Sequence, residues 1–221
     1  MLLDSIATEP DINEVVRYLG YPSGATPQGS ILDRVNTAVE AVRGKLRPRG
    51  IYALYKVAEC NARSLTLCGG VTFTGPIGEY LSHADRAAVF LATAGPEIVA
   101  LAEEMLAGRD TLGGLIYNSI GSALAEAAVE HIVGRLRGEL GPGEDLTLRY
   151  SPGYCGISLA QQKTVFSLID AASIGVELLP TYIMKPVKSV SGLIGIGPEN
   201  GVHAFATPCE RCPLADCKMR R

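Results

Sequence analysis

The sequence predicts an α+β domain on three observations. Of the 221 residues, 47% are hydrophobic and 19% are charged, which supplies enough apolar side chains for a core and excludes a disordered chain. Segments with helical and with strand-like periodicity follow one another in mixed order, without the regular alternation of a βαβ fold. The 25 glycines and 13 prolines predict many turns between these segments.

The first eighty residues contain two predicted helices followed by strands. Asp11 is a suitable N-cap for a helix over residues 11–19. A longer amphipathic helix is predicted to begin with Ser30 as its cap and to end before Pro48, because apolar residues recur there every three or four positions as far as Leu46. Residues 50–74 predict strands that are interrupted by a Gly-Gly pair.

The middle of the chain predicts a strand and two helices. The apolar run RAAVFLAT over residues 86–93 is typical of a buried strand. A Gly-Pro pair then precedes a helix over residues 97–106. Residues 112–137 form the strongest helical pattern in the sequence, and its last turn carries Arg135 and Arg137, whose charges suit the negative end of the helix dipole.

The last third of the chain predicts short elements. A strand over residues 146–150 is followed by a Pro-Gly turn, a helix over about 159–172, and strands near 182–184, 190–196 and 202–206. The glycine-rich stretch over residues 192–201 lacks the G-x-G-x-x-G spacing of a dinucleotide-binding loop and is not followed by a helical pattern. We therefore predict that these are turn glycines between two strands.

Composition also bounds the class of function and the location. A net charge of -3, a pI near 5.7 and the absence of Trp argue against nucleic-acid binding, which needs clustered cations and stacking rings. The sequence has no run of 18 or more apolar residues, so we predict no membrane span, and the N-terminus lacks the basic region of a signal peptide. Three of the six cysteines fall in the last thirteen residues, unlike a disulfide framework, so we expect a cytoplasmic protein with reduced thiols.

The segment RYSPGYCG, residues 149–156, carries the most distinctive local chemistry. Pro152 and Gly153 predict a turn at a strand end, where backbone N–H and C=O groups are open to a ligand. Arg149 can pair with a carboxylate through two hydrogen bonds, and Tyr154 offers both a ring face and a hydroxyl. This group suits a small zwitterion with a heteroaromatic part. The alternative is a structural turn with a salt-bridged arginine and a half-buried tyrosine.

Three longer phrases support a family resemblance. They are RYSPGYC over residues 149–155, IGVELLPTYIMKP with SVSG over 174–192, and LAEAAVEHIVGRLR over 124–137. Together they resemble the R-x-x-P-G-Y, S-V-S-G and L-A-E-A-x-x-E patterns of the activation domain of cobalamin-dependent methionine synthase, which binds S-adenosylmethionine. The resemblance covers roughly residues 82–198.

The resemblance implies a curved α+β domain with a central, mainly antiparallel sheet and flanking helices. It implies an activation subunit that uses S-adenosylmethionine to remethylate an oxidised corrinoid on a partner, after an electron has reduced cob(II)alamin to cob(I)alamin. The implied partners are a corrinoid protein or cobalamin-dependent methyltransferase and a flavodoxin or ferredoxin as electron donor. The residues implied to bind S-adenosylmethionine are Glu126, Arg149, Ser151, Gly153 and Tyr154.

Some positions depart from the family patterns and keep other functions open. A second acid expected shortly before Arg149 has only Glu144 or Asp145 as shifted candidates, and Val202 with His203 replaces an aromatic pair. No acidic motif of the family is found in the first eighty residues. These differences favour the alternative of a non-catalytic docking module. A further alternative is an iron–sulfur corrinoid reductase that does not bind S-adenosylmethionine.

The tail PCERCPLADCKMRR predicts a metal site. Cys209, Cys212 and Cys217 are spaced C-x2-C-x4-C, which lets three thiolates converge on one metal ion or cluster. Cys155 is our candidate for a fourth ligand, with His203, Cys60 and Cys68 as alternatives. An iron–sulfur cluster, zinc and the absence of any metal all remain open.

We predict three regions along the chain. Residues 1–80 form an N-terminal part that is expected to be integral to the same domain. Residues 81–206 form the core that resembles the activation domain. Residues 207–221 form the cysteine-rich tail.

Overall fold

The computed structural model describes residues 1–22, 24–25 and 27–202. The strands are β1 (Leu2–Leu3), β2 (Arg49–Asn61), β3 (Ser64–Leu67), β4 (Thr72–Thr74), β5 (Arg86–Thr93), β6 (Glu144–Tyr150), β7 (Glu177–Leu178), β8 (Met184–Lys185) and β9 (Ser189–Pro198). The helices are α1 (Ile12–Tyr18), α2 (Ser30–Val42), α3 (Ile77–Tyr80), α4 (Pro96–Ala107), α5 (Thr111–Arg137), α6 (Gln162–Leu168) and α7 (Glu199–Val202). Short 3₁₀ turns at Leu159–Gln161 and Ala171–Ile174 flank α6.

Seven strands form one antiparallel sheet. The order is β4-β3-β2-β5-β9-β6, and β1 pairs with the free edge of the first half of β2. β2 is long enough to pair with β5 through its first half and with β3 through its second half. Each strand pair is antiparallel, so the central antiparallel sheet implied by the family resemblance is confirmed.

Each face of the sheet is covered by helices, which gives a three-layer arrangement. On one face, β5 and β9 pack against α5, and the cluster includes Phe90, Val129, Ile132 and Ile194. A neighbouring cluster packs α1, α2 and α4 against the first half of α5. On the other face, α3, α6 and the second 3₁₀ turn cover Val89, Leu91, Tyr150 and Leu193. Successive side chains of a strand point to opposite faces of the sheet, which explains why β5 and β9 contribute residues to the clusters on both faces.

The longest predicted elements are confirmed. The run over residues 86–93 is the buried strand β5, and the pattern over 112–137 is the helix α5. Asp11 caps α1 as predicted, because its carboxylate accepts a hydrogen bond from the backbone N–H of Asn13 at 2.8 Å.

The predicted cap of α2 is wrong. Ser30 is the first residue of the helix, and Gly29 precedes it with a φ of 60° and no side-chain cap. The helix ends at Val42, so Leu46 lies beyond it although its spacing fits the apolar stripe. The free backbone of glycine accommodates the left-handed φ that turns the chain into this helix.

The C-terminal elements are shorter than the sequence predicts. The helix expected over about 159–172 is divided into a 3₁₀ turn, α6 and a second 3₁₀ turn, and α6 ends where Ile169 adopts an extended conformation. The strand expected near 182–184 is the two-residue strand β8. Val202 ends α7 and does not begin a strand, and the remainder of that predicted strand lies outside the described residues.

The prediction of turn glycines in the stretch over 192–201 is wrong for the first half of that stretch. Gly192, Gly195 and Gly197 lie inside β9. A Cβ at Gly192 would lie 2.4 Å from the carbonyl oxygen of Tyr150, and a Cβ at Gly197 would lie 2.2 Å from that of His83. These glycines therefore allow close approach of neighbouring backbone instead of turning the chain.

No helix in the part of the chain that the structure describes combines the length and the apolar character needed to cross a membrane.

Candidate functional site

A β-bulge in β6 directs Arg149 toward the α5 face of the sheet. Leu146 pairs with Ile196 and Arg149 pairs with Ile194, so the span between the two pairs holds one more residue in β6 than in β9. Leu146 belongs to the α5 cluster, whereas Tyr150 belongs to the cluster on the opposite face. Without the extra residue, strict alternation would place Arg149 on the face opposite to Leu146. The bulge restores it to the same face.

On that face Arg149 meets two carboxylates of α5. Its Nη2 donates a hydrogen bond to Oε2 of Glu126, and its Nη1 lies 3.3 Å from Oε1 of Glu130. Glu126 and Glu130 are four residues apart and therefore share one side of the helix. The Arg149 and Glu126 side chains are 23% and 25% exposed, so this ion pair is partly shielded from solvent. Sequence reasoning named Arg149 and Glu126, and the structure brings them together.

One donor of the Arg149 guanidinium has no hydrogen bond. Of all buried side-chain nitrogen and oxygen atoms in the described residues, Nη1 of Arg149 is the one that lacks a hydrogen-bond partner. The proximity of Glu130 supplies electrostatic attraction but not hydrogen-bond geometry. An unsatisfied buried donor is costly, so Nη1 is the atom of this site that would gain most from a further hydrogen-bond acceptor.

The turn predicted after β6 is present, but several of the backbone groups that we expected to be open to a ligand are paired within it. Gly153, Cys155 and Gly156 all have positive φ, of 91°, 52° and 78°. The backbone N–H of Gly153 donates to the carbonyl of Ile157 at 2.9 Å, and that of Tyr154 donates to the carbonyl of Ser151 at 3.1 Å. The turn is therefore closed by its own hydrogen bonds, while the Tyr154 residue is 72% exposed. Its ring and hydroxyl are free to contact a ligand.

Tyr80 fixes the position of this turn, although nothing in the sequence singled it out. Its ring stacks on Tyr150 with the centroids 4.4 Å apart and an interplanar angle of 9°. Its hydroxyl donates a hydrogen bond to the carbonyl oxygen of Cys155 at 2.9 Å. The end of β6 and the turn are thus attached to α3, which lies far away in sequence.

The negative charge of Glu126 reaches Tyr18 at the end of the N-terminal helix α1. α1 packs against α5, and Tyr18 lies against their shared apolar cluster. Burial raises the pKa of the Tyr18 phenol, and the negative charge of Glu126 raises it further. Tyr18 therefore stays a neutral neighbour of the Glu126 carboxylate. No motif in the sequence pointed to Tyr18, because it is distant from Glu126 along the chain.

Glu144, a shifted candidate for the second acid of the site, is engaged elsewhere. Its carboxylate accepts a hydrogen bond from the backbone N–H of Gly141 at 2.8 Å and pairs with Arg86 at 2.6 Å. The N–H of Gly141, followed by the Arg86 guanidinium, holds the pKa of this carboxyl below its usual range. Glu144 thus ties the start of β6 to β5.

The candidate metal ligands are only partly described. Cys155 and Cys60 are half-buried against the same apolar cluster, and Cys68 is exposed in the turn that follows β3. Within residues 1–22, 24–25 and 27–202, no three His, Cys, Asp or Glu side chains are grouped as a metal would require. Cys209, Cys212, Cys217 and His203 lie outside the described residues, so the metal site at the tail stays a prediction.

The fold matches that of a known reactivation domain. A crystal structure described as the MetH reactivation domain bound to AdoHcy superposes with a TM-score of 0.61, covering 90% of this chain and 81% of that one. Sequence identity is 17%, so the match establishes a shared fold. None of the curated proteins matches the chain.

The family is established by sequence as well. Residues 77–209, more than half of the chain, match the family described as the activation domain of vitamin B12-dependent methionine synthase. This chain belongs to that family. The resemblance that the sequence motifs indicate is confirmed, and the matched range includes α5, β6 and the turn that carries Tyr154.

Proposed function

We propose that this chain binds S-adenosylmethionine beside Arg149 and Glu126 and presents it to the corrinoid of a partner protein. The observation that carries the proposal is the buried Nη1 of Arg149, which has no hydrogen-bond partner next to the Glu126 carboxylate. A cation with an open donor and an adjoining anion complement a ligand that has one carboxylate and two positive groups. The family and the AdoHcy-bound structure of the same fold support this choice of ligand.

Each part of the ligand has a proposed partner. The carboxylate accepts hydrogen bonds from Arg149, and Glu126 attracts the ammonium or sulfonium group. The exposed Tyr154 ring provides a face for the adenine, and the backbone at Ser151 and Gly153 lines the turn beside it. These assignments retain the residues that the sequence predicts: Arg149 in β6, Glu126 on α5 and Tyr154 in the turn that follows β6.

The proposed reaction has two steps, both on the partner's corrinoid. An external reductant, for which we propose a flavodoxin or ferredoxin, gives one electron to cob(II)alamin and produces cob(I)alamin. The electron pair on cobalt then forms a bond to the methyl carbon as the carbon–sulfur bond breaks. The products are methylcobalamin and the thioether S-adenosylhomocysteine. The role of this chain is to align the sulfonium methyl with the cobalt, since proximity and orientation supply most of what such a transfer needs. The proposed partner is a cobalamin-dependent methyltransferase such as methionine synthase.

Titration calorimetry with S-adenosylmethionine tests the binding site. We expect saturable one-to-one binding to the wild-type chain and a loss of at least about 30-fold in affinity for Arg149→Ala, because a partly buried charged contact is removed. Arg137→Ala is the matched control, since Arg137 is an exposed arginine at the end of α5. Circular dichroism of each variant establishes that the fold is retained.

Two outcomes would contradict the proposal. Unchanged affinity in Arg149→Ala would remove the proposed site. The absence of binding to the wild-type chain at millimolar ligand would favour the alternative of a docking module that shares only the fold. In that case the methyl transfer assay with a corrinoid partner would give no S-adenosylhomocysteine.

A further inference from the structure

A second carboxylate lies beside Arg149, at the nitrogen that has no hydrogen bond. Oε1 of Glu130 is 3.3 Å from Nη1, whereas Nη2 is already hydrogen-bonded to Glu126. The Glu130 side chain is 65% exposed, against 25% for Glu126. Glu130 is therefore attracted to Arg149 without being fixed by it, and it can rotate into solvent at little cost.

The location of Glu130 matters for any ligand that carries a carboxylate. Nη1 is the guanidinium nitrogen without a hydrogen-bond partner, and the Glu130 carboxylate lies 3.3 Å from it. A ligand carboxylate that reaches Nη1 must displace Glu130 or share the nitrogen with it. Two carboxylates at one nitrogen repel each other. The positive groups of the bound ligand would lie farther from Glu130 than its carboxylate does. Because charge–charge interactions weaken with distance, this repulsion exceeds the attraction between Glu130 and the positive groups.

We propose that Glu130 is a positioning residue that competes with the ligand carboxylate for Nη1 of Arg149. It satisfies the charge of Arg149 in the empty site and lowers the affinity for ligands that bear a carboxylate. The inference rests on the proposed function, because S-adenosylmethionine is the ligand whose carboxylate Arg149 receives. Glu126 has the opposite role, since it is held by a hydrogen bond and attracts the positive groups of the ligand.

The test compares two ligands that differ only in the carboxylate. Calorimetric titrations of the full chain use S-adenosylmethionine and decarboxylated S-adenosylmethionine, with wild type, Glu130→Gln and Glu104→Gln. Glu104 is an exposed glutamate on α4, and its change to glutamine removes the same charge away from Arg149. We expect Glu130→Gln to bind S-adenosylmethionine about two- to fivefold more tightly, the range that exposed ion pairs produce. Its affinity for the decarboxylated ligand should be unchanged or weaker, and Glu104→Gln should behave as wild type.

The outcomes separate this inference from the proposed function. If the wild type binds S-adenosylmethionine but Glu130→Gln binds it equally or more weakly, the competition is overturned and the proposed site stands. Equal tightening of both ligands by Glu130→Gln would also overturn it, because the effect would not depend on the carboxylate. If neither the wild type nor Glu130→Gln binds S-adenosylmethionine, the proposed function fails and this inference fails with it.

Discussion

Single glycines allow the strands around the site to approach each other closely. Gly192 in β9 lies against the carbonyl oxygen of Tyr150, the last residue of β6. A methyl group there has no room, because the obstructing atom belongs to the backbone and cannot rotate away. The sequence showed that glycines are frequent in this stretch, but their role depends on the neighbouring strand.

We predict that Gly192→Ala lowers the free energy of unfolding by about 2 kcal/mol or more, as expected for overpacking against backbone. Gly134→Ala is the matched control, since Gly134 lies in α5 and a methyl group at this position would meet no neighbouring atom within 4 Å. That change should raise stability by about 1 kcal/mol, because alanine favours a helix over glycine. Urea denaturation measures both. Equal stability of Gly192→Ala and wild type would contradict the predicted clash.

At the scale of elements, the long helix α5 connects the sheet to its flanking helices. It packs on β5 and β9 and also contacts α1, α2 and α4. Beyond its C-terminus, Glu139 accepts a hydrogen bond from the hydroxyl of Tyr52 in β2 at 2.5 Å. Burial, followed by this hydrogen bond and the charge of Glu139, raises the pKa of Tyr52 to about 12.

The hydrogen bond between Tyr52 and Glu139 predicts a loss of stability at alkaline pH. The pKa of Tyr52 is higher in the folded chain than its ordinary value of 10.0. The contribution of Tyr52 to the free energy of unfolding is therefore complete below pH 10 and is lost as the pH rises toward about 12. We expect the free energy of unfolding to fall more steeply between about pH 10 and 11.5 in the wild type than in Tyr52→Phe. Chemical denaturation at each pH measures the difference. Parallel curves for the two proteins would show that Tyr52 ionisation is not linked to unfolding.

At the scale of the whole molecule, the first eighty residues take part in the main sheet. β2 lies between β5 on one side and β1 and β3 on the other, and α1 and α2 cover the first half of α5. We infer that residues 1–80 are integral to the same domain as the core predicted over residues 81–206. The family match begins at residue 77 and so does not include β2.

A fragment of residues 81–221 tests this inference. We expect it not to fold cooperatively, because loss of β2 leaves one edge of β5 unpaired and loss of α1 and α2 exposes the apolar side of α5. Thermal unfolding followed by circular dichroism, with the full chain as control, provides the measurement. A sharp unfolding transition of the monomeric fragment would show that residues 1–80 form a separate unit.

The sequence by itself determined the α+β class, the long elements β5 and α5, the family, and the identity of Arg149 and Glu126 as candidate ligands. These follow from local periodicity and from motifs, which are properties of neighbouring residues. Only the tertiary structure decided that the β6 bulge turns Arg149 toward α5, that Glu130 shares its guanidinium, and that Tyr80 anchors the turn. Such contacts join residues distant along the chain, and they depend on strand register and side-chain burial, which no local pattern specifies.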